Sequence, residues 1–129
     1  MNKILIIEDD PSTRELYKHF FKRFKNVAIY EAENGSTGLD MAKDIKPGLI
    51  ILDNKMPGMP GEMVAKQLKA NPSTKEIPII LATAMKLSPQ QVNMIKLDVD
   101  EFIHQPFSQW DLQHKAEKYL GPLVEVPIE

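Results

Sequence analysis

The sequence predicts an α/β fold, a five-stranded parallel sheet doubly wound with helices on both faces. Three observations predict it. Short runs of β-branched and other apolar residues alternate with stretches of helical period from end to end. Three of those runs are almost continuously apolar, as strands covered on both faces require. Capping and stop residues fall at the boundaries between the two patterns. A chain of 129 residues, 43% hydrophobic and 26% charged, is the size and composition of one globular domain, which excludes a disordered or fibrous protein.

The elements follow in order. Lys3–Ile7 is the first apolar run, and Asp10-Pro11 then reads as an N-cap with proline at the first helical position. Leu16, Phe20 and Phe24 recur every fourth residue, with Tyr17 and Phe21 beside them. A second run, Val27–Tyr30, precedes a helix striped by Leu39, Ala42 and Ile45. The third, Leu49–Asp53, leads to a helix marked by Val64 and Leu68. The fourth, Ile77–Ala82, is followed by Ser88-Pro89, where Ser88 and Gln91 have capping-box spacing ahead of Val92 and Ile95. The fifth, Glu101–His104, precedes a helix carrying Leu112, Ala116 and Leu120, and Gly121-Pro122 ends it. Residues 1–121 are therefore expected to form the domain and 122–129 a short tail without a helix or strand of its own.

Charge and composition narrow the function. With 16 basic and 18 acidic side chains the net charge is −2, so the chain has no general grip on nucleic acid or an anionic membrane. Having no cysteine, it can build neither a disulfide nor a thiolate metal site. The apolar run at Ile4–Ile7 is too short for a membrane span or a secretory core. A soluble cytoplasmic domain is the expectation.

Alternating strands and helices imply right-handed crossovers, and sheets of this kind carry their sites outside the carboxyl ends of the strands. There stand Glu8-Asp9-Asp10, Asp53, Ala82-Thr83-Ala84 and His104-Gln105-Pro106. Each alone has an ordinary explanation: Asp10 a helix cap, Glu8 and Asp9 a solvated strand end, Thr83 a β-branched residue closing a strand. Their conjunction across separate strands points to an acidic phosphate site dependent on Mg2+, which takes one or two carboxylates and keeps several waters.

Ile4–Pro11, Leu49–Asp53 followed by Met56-Pro-Gly-Met59, Thr83-Ala84 and Pro106-Phe107 together resemble the receiver domain of two-component response regulators. The resemblance runs from Lys3 to Leu120. It implies the flavodoxin-like strand order 2-1-3-4-5. It further implies that Asp53 accepts a phosphoryl group from a sensor histidine kinase or phosphotransfer protein. Glu8, Asp9 and Asp53, with the backbone carbonyl of Lys55, would hold Mg2+. Thr83 would reach a phosphoryl oxygen and Phe102 would turn with it as a switch. A downstream protein would read the surface of the fourth helix, fifth strand and fifth helix. Such a chain signals by contact, touching neither nucleic acid nor membrane itself, and its covalent chemistry stops at accepting phosphate. No output domain is expected after Leu120.

One departure matters. The family has lysine before the Pro-Phe pair, and here Gln105 stands there. Gln105 can donate a hydrogen bond but brings no charge, and Lys55, two residues after Asp53, is a candidate to supply it. Gln105 also raises an alternative, a pseudo-receiver that binds partners without phosphorylation. An aspartyl-phosphate phosphatase would need a second carboxylate where Lys55 is. A nucleotide binder would want a Gly-rich loop in place of Glu8-Asp9-Asp10-Pro11. His19 and His114 fall on helices outside any phosphotransfer motif. Trp110 and Tyr119 are expected to pack in the core or at its rim, and Pro60 to stiffen the loop after Asp53.

Overall fold

The computed structural model describes residues 1–127; the last two tail residues, 128 and 129, lie outside the described part. Strands β1 (Asn2–Ile7), β2 (Val27–Ala32), β3 (Leu49–Asp53), β4 (Ile79–Thr83) and β5 (Glu101–His104) alternate with helices α1 (Pro11–Phe21), α2 (Gly35–Ile45), α3 (Gly61–Ala70), α4 (Pro89–Ile95) and α5 (Gln109–Leu120). All strand pairs are parallel, and the order is β2-β1-β3-β4-β5. The topology is the one expected.

The apolar runs divide their side chains between two cores, as strand alternation requires. Leu5, Ile7, Ile50, Leu52, Ile79 and Leu81 face the helices α2, α3 and α4. Ile4, Ile6, Leu49, Ile51, Ile80 and Ile103 face α1 and α5. Burial on both sides explains why these strands read as unbroken apolar runs.

The caps are where the sequence puts them. The Asp10 carboxylate accepts from the Ser12 and Thr13 N–H groups, and the Ser88–Gln91 capping box is complete. Gly121 ends α5 with φ +78°.

Three details differ from the sequence reading. β4 begins at Ile79, not Ile77, because the Ile77 N–H bonds the Thr74 carbonyl and Pro78 has no N–H to offer a ladder. On α1 the inward arc is Tyr17, Phe20 and Phe21, continued by buried Phe24 just after the helix, while Leu16 is 70% exposed. Trp110 is 72% exposed and stacks on His114, ring centroids 5.1 Å apart, rather than packing in the core or its rim. It sits in the first turn of α5, ahead of the inward residues Leu112 and Ala116. Tyr119 does pack at the rim, its hydroxyl donating to the Asp100 carbonyl and the Glu101 carboxylate.

Candidate functional site

β1 and β3 are neighbours in register, so their ends bring Glu8, Asp9 and Asp53 to one rim. One carboxylate oxygen from each lies within 4.8 Å of the others. Glu8 is buried, Asp9 and Asp53 half-buried. Burial, and then the Asp53 charge, push the Glu8 carboxyl up to about 8. Asp53 is also raised, by burial first; the Glu8 hydrogen bond and the Lys55 N–H oppose that rise. Asp10 is different: its carboxyl is exposed, lowered chiefly by the Thr13 hydroxyl, and is occupied in capping α1.

The cleft above the rim is walled by Glu8, Asp9, Asp53, Lys55, Thr83 and Gln105, with Asp10, Thr13, Ala84 and Met85 around them. β4 supplies Thr83, 2% exposed, whose hydroxyl accepts the Met85 N–H at 3.0 Å. β5 hands the chain to Gln105, whose N–H bonds the Thr83 carbonyl at 2.8 Å. Glu8, Asp9, Asp10, Asp53, Thr83, Ala84 and Gln105, from the strand ends named in the sequence, therefore reach the same cleft, whereas Ala82, His104 and Pro106 do not line it. Phe102 does not line it. It packs against the α2–α3–α4 core, on the sheet face that alternation also gives to Thr83. His104 is exposed and lies outside the cleft wall.

Two contributors were not legible beforehand. Arg14 ties the loop after β1, its Nη1 donating to the Glu8 carbonyl at 2.8 Å and the Asp9 carbonyl at 3.2 Å while its Nε pairs with Glu31. Gly61 opens α3 against the main chain of Asp53 and Asn54, its N–H bonding the Asn54 carbonyl at 3.0 Å. Pro60 occupies the N-cap of α3 and supplies no side-chain bond there.

Three carboxylates gathered at a half-buried rim suit a hard divalent cation with oxygen ligands, and Mg2+ fits that donor set. The response regulator receiver domain family matches residues 4–117. The chain belongs to that family. The transcriptional regulatory protein ResD of Bacillus subtilis is 35% identical to this receiver over 106 residues, 82% of the chain and 42% of ResD. The chain spans about half the length of the curated relatives it matches. Among solved structures, the receiver resembles the signal receiver domain of a signal transduction histidine kinase from Syntrophus aciditrophicus. The TM-score is 0.82 and the identity 30%, covering 93% of this chain and 90% of that one. The receiver domain of a sensor histidine kinase from Pseudomonas aeruginosa PAO1 shares the fold at TM-score 0.83 and 20% identity, covering 94% of this chain and 98% of its own. That structure has a magnesium ion coordinated in its active site cleft.

Proposed function

We propose that this receiver accepts a phosphoryl group on Asp53 and signals through protein contact. The observation that carries the reading is the convergence of Asp53 with Glu8, Asp9 and Thr83 in one cleft at the carboxyl ends of the sheet. An Asp53 oxygen attacks the phosphorus of a phosphohistidine on a sensor kinase or phosphotransfer protein. The P–N bond breaks, the imidazole leaves, and an acyl phosphate remains on Asp53.

Glu8, Asp9, Asp53 and the Lys55 backbone carbonyl are the groups that hold Mg2+. When bound, the cation offsets the charge that gathers as an anionic phosphoryl group meets an anionic carboxylate. Thr83 gives its hydroxyl to a phosphoryl oxygen, releasing the Met85 N–H it now serves. Phe102, half-buried against the α2–α3–α4 core, responds by turning inward. A downstream protein then reads α4, β5 and α5, where Met94, Leu97 and Trp110 are exposed. Nucleic acid and membrane are not direct partners on this reading. Its support is the net charge of −2 and the finding that no helix among the described residues is long and apolar enough to cross a membrane. The cytoplasm is the compartment such a kinase partnership implies.

Gln105 is the one residue that favours a phosphorylation-independent binding module, and the comparisons lend that alternative no support. The deciding experiment is intact-mass measurement after incubation with Mg2+ and acetyl phosphate. One phosphoryl adduct, absent in Asp53→Asn, is expected. No adduct in the wild-type protein would overturn the reading.

A further inference from the structure

Helical side chains lean toward the N-terminus of their helix, so Arg14, one turn into α1, reaches back over the acidic loop that precedes it. Its Nη1 donates to two consecutive carbonyls, Glu8 at 2.8 Å and Asp9 at 3.2 Å. Those carbonyls belong to the two peptide groups that flank the Asp9 Cα. Holding both fixes the direction in which the Asp9 side chain leaves the backbone. Glu8 and Asp9 line the cleft with Asp53, and Arg14 is not part of its wall. The guanidinium thus grips the loop without entering the site. The grip is itself aligned: Nε pairs with Glu31 Oε1 at 3.2 Å, and the other Glu31 oxygen takes Lys18 Nζ at 3.2 Å. Glu31 stands on β2 opposite Ile6 of β1, a residue fully buried in the sheet, so its backbone is a fixed anchor. The Arg14 and Glu31 side chains are 16% and 32% exposed, better shielded from solvent than Arg23 and Glu125.

We propose that Arg14, aligned by Glu31, is a positioning residue for the Mg2+ site: it sets the aim of the Asp9 carboxylate from behind the loop. A planar guanidinium presents its N–H donors in a fixed fork, so one residue can hold two carbonyls and a carboxylate at once. Charge alone predicts the opposite effect on the metal. A cation beside the acidic loop repels a second cation, so removing it should tighten Mg2+ binding. Positioning predicts weaker binding, because a freed Asp9 must be ordered when the metal binds. The sign of the change therefore separates the two. The proposal rests on the reading of Glu8, Asp9 and Asp53 as the Mg2+ ligands.

The test is calorimetric titration of the full metal-free chain with Mg2+, well below its melting temperature, so that folded protein is what binds. Arg14→Ala should raise the Mg2+ dissociation constant about tenfold, the low end of what groups supporting metal ligands contribute. Arg14→Lys keeps the charge without the fork and should recover only part of that loss. Glu31→Ala leaves Arg14 in place and should weaken binding by a smaller factor. In that background Arg14→Ala should cost less, since both residues act through one network. Lys69→Ala is the control for lost stability, because Lys69 bonds the Lys75 and Ile77 carbonyls and the Asp100 carboxylate away from the cleft. It should lower the melting temperature and leave Mg2+ affinity unchanged. Affinity unchanged or tightened in Arg14→Ala, or weakened equally in Lys69→Ala, would overturn the proposal. Should Arg14→Ala fail to fold, unchanged affinity in Glu31→Ala would do the same. Wild-type protein that binds no Mg2+ at all would overturn the metal-site reading, and the proposal with it.

Discussion

Gly61 opens α3 directly against the main chain of Asp53. A Cβ at this position would collide with the Asp53 carbonyl oxygen and come within 2.8 Å of Asn54 Cα and 2.9 Å of the Asp53 carbonyl carbon. These are backbone atoms and cannot swing aside. The contact sets how closely α3 approaches the end of β3, and through it the aim of the Asp53 carboxylate. Gly61→Ala should cost about 1–3 kcal/mol in denaturant unfolding, as overpacking does. It should also slow phosphorylation of Asp53 by about tenfold or more, because misplacement at a reacting group is expensive. Gly58 is the control. Its φ is +82° with nothing within 4 Å of a Cβ, so Gly58→Ala should lose about 1–2 kcal/mol to backbone strain alone. The phosphorylation rate of the Gly58 variant should stay near that of wild type.

The tail is tied to the α1 side of the domain. Glu125 forms an antiparallel bridge with Phe24, the Val126 N–H bonds the Arg23 carbonyl at 2.7 Å, and Leu123 is buried in the α1–α5 core. Leu123→Ala should destabilise by about 2–3 kcal/mol through lost burial and a residual cavity. Glu125→Ala, which removes only the exposed Arg23 ion pair, should cost less than about 1 kcal/mol. Urea melts of the two variants separate apolar anchoring from charge pairing; equal costs would contradict it.

Local pattern explains what could be read in advance. The strands are legible because both faces are buried, and the caps because Asp10, Ser88 and Gly121 act within four residues of themselves. The rim is legible because each site residue sits at the end of an apolar run. Gly61 and Arg14 are not, since their roles depend on which backbone or side chain the fold brings opposite them. Arg14 meets Glu31 and two carbonyls of the preceding loop, and Gly61 meets the main chain of Asp53 and Asn54. Leu16 misled because an every-fourth-residue stripe drifts about 40° per step from a 3.6-residue period. The buried arc begins one residue later, at Tyr17.

Glu8 predicts how metal-free stability changes with pH. Its carboxyl moves from an ordinary 4.5 up to about 8 on folding, chiefly by burial and then by the Asp53 charge. Below the ordinary value Glu8 is protonated in both states, and the full stability is present. As pH rises through about 8 the folded protein gives up a proton that the unfolded chain released near 4.5, so stability is lost. Without metal, the melting temperature should therefore fall between about pH 5 and pH 9. Glu8→Gln, neutral at every pH, should flatten most of that fall. Mg2+ should restore the wild type near pH 9 and do little near pH 5, because cation and proton compete for the same carboxylates. A flat wild-type profile would show that Glu8 ionises normally.

Lys55 is the only lysine or arginine in the cleft wall and pairs with no acid among the described residues, whereas Arg14 is held by Glu31. With Gln105 neutral, an incoming phosphoryl group meets four nearby carboxylates and this one exposed ammonium. A solvated charge at about 4 Å is worth roughly 1 kcal/mol in water, about fivefold in rate. Lys55→Ala should slow phosphorylation by acetyl phosphate by about that factor at low ionic strength. The deficit should shrink at high salt, where exposed charges are screened. Gln105→Lys should accelerate the reaction, and in that background removal of Lys55 should matter less, because a second cation already faces the phosphoryl group. The comparison needs four proteins: wild type, each single variant and the double. Rates for Lys55→Ala equal to wild type at low salt would leave Lys55 as a solvated loop residue, with the Gln105 amide as the remaining donor at that side of the cleft.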